Sequence, residues 1–285
     1  MNTVVVLHAH PDDESSKGAG TIARLTDSGY RAVLVCATGG EAGDILNPAL
    51  DYPSVKKRLA DIRRSELEKA ASIIGYDEVV FLGYRDSGMP GTDDNRRADA
   101  FVNATFAEVL RHIVEIVRRE RPVLVLGYDS HELYPHPDHL KIHEVTVALA
   151  DAAADPLRFP EIHDPWSIPV VAAPSFTMQR MRTLHEEMRR RDLGSSLQKS
   201  LDLSMGRKDD VTRLVRVNVR GFVERGRDAL RAHATQVDSD GSWFEVPTDV
   251  VEEVYPFEDF ELLHVAEGAL EDIKIFERWT SGNFC

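Results

Sequence analysis

Thr3-Val4-Val5-Val6-Leu7 runs directly into His8-Ala9-His10-Pro11-Asp12-Asp13-Glu14. The first five residues are an apolar, β-branched run of the length and type that forms a buried strand. Pro11 and the acidic residues after it stop the strand and open a helix, since Pro and acidic groups are favoured in a first helical turn. The junction is therefore a strand end that feeds a loop rich in imidazole and carboxylate. Three more apolar runs follow, Ala32 to Ala37, Val79 to Leu82 and Val123 to Leu126, each read as a strand buried on both faces. Between them, residues 18–27, 57–74 and 104–120 carry apolar positions at helical spacing, and the last of these stops before Pro122. The order β-α-β-α-β-α-β predicts an α/β fold with a Rossmann-like, mostly parallel sheet flanked by helices. In such sheets ligands sit beyond the carboxyl ends of the strands.

The second half is less regular. Five prolines fall between Pro156 and Pro174, and helices are predicted from Met178 to Arg191 and from Val223 to Ala234. With no linker or repeat in view, the expectation is a single domain over 1–285. Residues 1–152 form its Rossmann-like core and 153–285 a C-terminal extension that completes the pocket.

Composition narrows the function. The formal charge of −14 repels phosphate backbones, and the short basic run Arg189-Arg190-Arg191 is too small a face for nucleic acid. No apolar stretch reaches the roughly 18 residues of a membrane span, and the N-terminus lacks signal-peptide features, so a cytoplasmic protein is expected. Cys36 and Cys285 are too few for a cysteine metal site or a disulfide framework. The expected partner is a small molecule, with neither nucleic acid nor membrane, and homo-oligomerisation is left open.

The second decisive segment is Tyr134-Pro135-His136-Pro137-Asp138-His139, in the loop after the fourth strand. His8, His10, His131, His136, His139 and His143 lie in or beside the two segments, six of eleven histidines in the chain. The β-α order brings both segments to one edge of the sheet. Imidazole and carboxylate form a typical zinc ligand set, and three protein ligands leave a fourth position for water. Of Asp12 and Asp13, one can ligate while the other serves as base. Spacing does not choose between His136 and His139 as ligand.

The paired His-Pro-Asp-Asp-Glu and His-Pro-Asp-His segments resemble the PIG-L/LmbE-type zinc deacetylases and amidases. The likeness extends through Thr38-Gly39-Gly40-Glu41, Arg63-Arg64-Ser65-Glu66-Leu67, Asp86-Ser87-Gly88-Met89 and His233-Ala234-Thr235-Gln236. It implies one zinc ion per chain on His10, Asp13 and His139, with Asp12 as general base. It further implies that His136 stabilises an oxyanion or protonates the leaving amine, that Tyr134 assists, and that Asp138 orients the His136 imidazole. Arg63 and Asp86 match positions that grip sugar hydroxyls. Within the family, Asp12 to Ala19, with Lys17 foremost, Asp44 to Ala49 and Arg231 to Gln236 are similar to the mycothiol S-conjugate amidase branch. This implies cleavage of an amide in a polar, amino-sugar-containing substrate, with an amino-sugar N-deacetylase as the alternative. The segments Tyr128 to Leu133 and Pro90 to Ala98 depart from the branch and are expected to flank the pocket.

Plainer readings stand beside these. His8 lies within the strand and reads as packed. His143, one turn after His139, reads as support more than as a fourth ligand. His131 is loop chemistry or nothing, and His233 suits a structural hydrogen bond as well as catalysis. Glu14 fits a helix N-terminus and needs no further role, whereas a cation at Lys17 would conflict with the positive end of a helix dipole. Gly39-Gly40 lacks the pattern of a phosphate loop. Two rivals from other classes are a two-metal phosphoesterase and a non-enzymatic sugar or nucleotide sensor. Metal stoichiometry separates the first, and release of a free amine the second.

Overall fold

The computed structural model describes residues 1–130, 135–204, 209, 212–238, 241–269 and 274–278. Tyr134 and His131 fall outside the described residues, as does Cys285.

The described strands form one sheet in the order β3-β2-β1-β4-β5-β7-β6-β8. They are β1 (Thr3–His8), β2 (Arg31–Thr38), β3 (Glu78–Tyr84), β4 (Leu124–Leu126), β5 (Val170–Ser175), β6 (Leu214–Asn218), β7 (Phe257–Val265) and β8 (Phe276–Arg278). The first five pair in parallel, and β7, β6 and β8 then add antiparallel pairs at one side. The helices are α1 (Asp13–Ser16), α2 (Ala19–Asp27), α3 (Pro53–Lys56), α4 (Leu59–Ile74), α5 (Phe106–Glu120), α6 (Pro137–Ala154), α7 (Met178–Arg190), α8 (Leu197–Leu203), α9 (Val223–Ala232) and α10 (Thr248–Val254).

Alternation along β1 explains the three-layer core. Val4 and Val6 pack on one face with Ile22, Leu67 and Ile74, while Val5 and Leu7 pack on the other with Leu110, Ile113 and Val145. Both faces are covered by helices, so between Thr3 at its start and His8 at its end the strand has no polar position. The predicted elements of the first half are present within two residues of their expected ends, with one difference. β3 is half-buried along its length because it is the sheet edge, so it is not covered like β1.

The second half departs further. Residues 153–285 do not merely pack on the core, because β5 completes its parallel part and the antiparallel strands extend the same sheet. Pro174 is tolerated in β5 because pairing with β4 ends at Ala172, leaving no partner there for the N–H that proline lacks.

Local capping fixes where helices begin. Thr105 accepts from the Glu108 N–H at the start of α5, and His136 accepts from the Asp138 N–H at the start of α6, with Pro137 at its first position. β1 and β4 are neighbours, and the chain leaves them toward opposite sides of the sheet. The two histidine-bearing loops therefore meet at the point where strand order reverses, the usual ligand crevice of an open α/β sheet.

Candidate metal centre

Beyond the ends of β1 and β4 a cavity of about 460 Å³ opens, with His10, Asp12, Asp13, His136 and His139 on its wall. Asp13 is the first residue of α1, and His139 lies in the first turn of α6. His10 Nδ1 is 3.1 Å from His139 Nε2, Asp13 Oδ1 lies 3.5 Å from His139 Nε2, and Asp13 Oδ2 lies 3.8 Å from His10 Nδ1. A tetrahedral ion with ligands at 2.0–2.1 Å places donor atoms about 3.4 Å apart, close to the His10–His139 separation, and the Asp13 carboxylate turns one oxygen toward each imidazole. His10, His136 and His139 also form a cluster of metal-ligating type, as do His10, Asp86, His136 and Asp138.

The two faces of the His10 ring are distinct. Its Nδ1 looks toward Asp13 and His139, and its Nε2 is 3.1 Å from Asp138 Oδ2 and 3.5 Å from Asp86 Oδ1. A ring that donates Nε2–H to a carboxylate presents a bare Nδ1, the arrangement that orients a metal-binding histidine. A neutral imidazole has one lone pair to give, so the two clusters cannot both draw on His10 as ordinary ligands.

Asp138 meets two histidines with different groups. Its carboxylate faces His10 and accepts the Ser87 N–H at 3.0 Å. What Asp138 gives His136 is its backbone N–H, donated to Nδ1 at 3.2 Å. An accepting Nδ1 leaves the hydrogen on Nε2, which lies 4.0 Å from Asp86 Oδ1.

Charge is set by crowding. Burial pushes the Asp13 carboxyl up, but Lys17, His139 and His10 hold it well below the usual carboxylate range. Burial pushes His10 down, yet Asp138 and Asp86 keep it well above the ordinary imidazole value. His136 is lowered by burial and by the positive charge of His10. The Asp12 carboxyl is pushed up to about 7 by burial and then by the Asp13 charge beside it.

Asp12 also has an unusual backbone. Its φ of 108° lies in the left-handed region, where a non-glycine residue costs about 1–3 kcal/mol and persists only if its surroundings hold it. Its side chain does not cap α1 and instead lines the cavity.

Lys17 is the C-cap of the short α1 and directly precedes Gly18, the N-cap of α2, so the cation stands near the positive end of α2 and is held there by a carboxylate. Its Nζ is 2.7 Å from Asp13 Oδ1. Arg63 and Asp86 line the cavity, but both are already engaged: Arg63 donates to Gly40 O and to Asp44 O, and Asp86 accepts the N–H groups of Gly88 and Ala42. A Cβ on Gly43 would stand 2.5 Å from the Arg63 guanidinium, which explains glycine at that close approach.

The plainer readings hold for two histidines. His8 is buried edge-on against Tyr128 and pushed down to about 4 by burial. His143 Nδ1 meets Tyr128 O at 2.8 Å and braces that loop. Asp129, Phe176, Gln236 and Trp243 also line the wall. Asp129 belongs to the Tyr128 to Leu133 segment expected to flank the pocket and Gln236 to the His-Ala-Thr-Gln motif, whereas Phe176 and Trp243 carry no signal in the sequence. The Pro90 to Ala98 loop contributes nothing to the described lining.

The fold and this cluster define an α/β protein with a His/Asp centre at the switch point of its sheet. The chain belongs to the family described as PIG-L: GlcNAc-PI de-N-acetylase, whose profile matches residues 5–150. It is 35% identical over 286 residues to a 1D-myo-inositol 2-acetamido-2-deoxy-alpha-D-glucopyranoside deacetylase of Streptomyces avermitilis, covering 96% of each chain. It is also 35% identical over 268 residues to a mycothiol S-conjugate amidase of Streptomyces coelicolor, covering 91% of this chain and 90% of that one. Among solved structures, an N,N'-diacetylchitobiose deacetylase from Pyrococcus horikoshii shares the fold, with a TM-score of 0.62 at 20% identity over 92% of this chain and 83% of that chain. Among the described residues, no helix is long and apolar enough to cross a membrane.

Proposed function

We propose that this amide-cleaving hydrolase is a single-domain zinc enzyme acting on an amino-sugar-containing substrate, with a mycothiol S-conjugate as the preferred one. The observation that carries the reading is the spacing of His10 Nδ1, Asp13 and His139 Nε2, at 3.1 to 3.8 Å. His10, Asp13 and His139 would hold the ion. His139 is favoured over His136 because its Nε2 faces Asp13, whereas the His136 Nδ1 is taken by the Asp138 N–H. Bound zinc supplies Lewis acidity and brings the pKa of water to about 7.

The chain's own groups account for the proton movements. Asp12 takes a proton from the attacking water, and a carboxyl raised toward 7 is matched to that task near neutrality. His136, neutral and carrying hydrogen on Nε2, donates a hydrogen bond to the developing oxyanion. Its lowered pKa favours this over proton delivery to the leaving amine. Asp138 holds His10 in its ligating tautomer. Arg63 and Asp86 meet sugar hydroxyls with their remaining valences, and Tyr134, two residues before His136 in the sequence, assists. Lys17 supports the S-conjugate substrate, because its ammonium lines the cavity next to Asp13 and can meet the acyl side of the amide.

The test compares the zinc-loaded enzyme on a mycothiol S-conjugate and on N-acetylglucosaminyl-inositol, following amine release. Faster cleavage of the S-conjugate is expected, with the preference reduced in Lys17→Ala. Faster cleavage of the sugar acetamide reverses the substrate assignment and leaves the chemistry intact.

A further inference from the structure

Glu14 and His233 are both fully buried, and neither touches the cavity wall. Glu14 Oε1 is 2.6 Å from His233 Nε2 and accepts the Ser15 hydroxyl, while Oε2 accepts the Asp12 N–H at 3.0 Å. Three residues after His233, Gln236 donates Nε2–H to Pro11 O at 2.7 Å. Pro11 C=O and Asp12 N–H belong to one peptide unit. That unit is therefore gripped at both ends, by Gln236 directly and by His233 through Glu14. The intervening Thr235 donates its N–H and hydroxyl to Glu66 of α4 at 2.9 and 2.6 Å, which anchors the segment.

A peptide plane held at its oxygen and its hydrogen restricts the φ that follows it from one side, and Asp12 has the left-handed φ of 108°. Such a backbone survives where neighbours over-determine it. The family match ends at residue 150, so these partners come from the part of the chain it leaves out. Burying a carboxylate beside an imidazole is costly unless hydrogen bonds offset it; both Glu14 oxygens have partners, in His233, Ser15 and the strained Asp12, while His233 Nδ1 has none among the described residues.

We propose that His233 and Gln236 are positioning residues, which aim the Asp12 carboxylate by locking the Pro11–Asp12 peptide, His233 acting through Glu14. The proposal rests on Asp12 being the base. Neither residue is assigned a proton transfer.

Two substitutions at His233 separate positioning from bulk. His233→Gln keeps a donor near the place of Nε2, and His233→Leu removes it. Gln236→Leu, at a half-buried position, removes the other grip without stranding a buried charge, so it serves even if His233→Leu does not fold. Measured by amine release from whichever of the two amides the zinc-loaded chain cleaves, kcat should fall about 10- to 100-fold in His233→Leu and Gln236→Leu. KM should stay within about threefold and zinc at one per chain. His233→Gln should return kcat to within about threefold of the parent. Amide hydrogen exchange at Asp12, followed in the zinc-free chain, should quicken at least about tenfold in both leucine variants.

Unchanged kcat and exchange in both leucine variants overturns the proposal, as does a loss of kcat matched by loss of zinc. Asp12→Asn in the same assay keeps the two readings apart. If Asp12→Asn retains turnover, the base assignment fails. If it loses turnover while the leucine variants do not, only the positioning proposal fails.

Discussion

The parallel half of the sheet and its antiparallel extension do different work at the same cavity. β1 and β4 lead into the loops and helix starts that carry His10, Asp12, Asp13, His136 and His139. The chain after β5 brings Phe176, Gln236 and Trp243 to the wall and His233 behind it. On the proposed reading the chemistry sits at these strand ends, and the later half holds and shapes what the earlier half presents. Changes in the first should abolish the reaction, and changes in the second should grade it.

The largest effect is expected at His139. His139→Ala should lose zinc, measured by metal analysis after dialysis, with turnover falling to background. A variant that kept one tightly held zinc would move the ligand role to His136. Next comes Asp12→Asn, which should keep zinc yet lose about 10²- to 10⁴-fold in kcat, the range of general base catalysis.

Zinc affinity gives the third measurement. His10 is held well above the ordinary imidazole value in the metal-free protein and must shed its Nδ1 proton to ligate. Metal and proton compete, so affinity should rise by about tenfold per pH unit below the His10 pKa and flatten above it. The contribution of Asp12 to stability runs the other way with pH. Its raised carboxyl binds a proton in the folded state at pH values where the unfolded chain has lost it, so stability contributed there falls as pH rises from about 4 to 7. Titration calorimetry across pH 5 to 8 reads the zinc arm, and a flat profile would remove His10 from the ligand set.

Smaller effects belong to the extension. Glu66→Ala strands the buried Thr235 N–H and hydroxyl, so unfolding should become easier by about 1–3 kcal/mol, seen in denaturant melts. Trp243→Ala, at an exposed position on the cavity wall, should raise KM a few-fold with kcat unchanged. A fall in kcat without a change in KM would place Trp243 nearer the reacting atoms than the account allows.

The same division governs how much could be read in advance. Val4 to Leu7 and its sister runs announce doubly covered parallel strands, because burial on both faces leaves a continuous apolar run. β7 is mostly half-buried and carries the mixed Phe257-Glu258-Asp259-Phe260-Glu261, which gives no such run. β5 is hidden among prolines, one of them tolerated only because a neighbour strand ends early. At the site, residue type and strand-end placement point to a metal-binding cluster, while His139 is singled out in the sequence only by the family resemblance, and in the fold its Nε2 lies 3.5 Å from Asp13. Three details were beyond sequence reasoning. Asp138 turns to His10, the Glu14–His233 contact joins residues 219 positions apart, and α1 is too short to show a period.

The central claim is a zinc-dependent amide cleavage with Asp12 as base, and one assay reaches it most directly. The chain is stripped with a chelator and reloaded with one equivalent of zinc, and amine release from a mycothiol S-conjugate is followed beside Asp12→Asn treated identically. The account predicts restored release in the parent and at least about a hundredfold slower release in the variant at equal zinc content. Equal release by the stripped and reloaded parent, or by parent and variant, would contradict it.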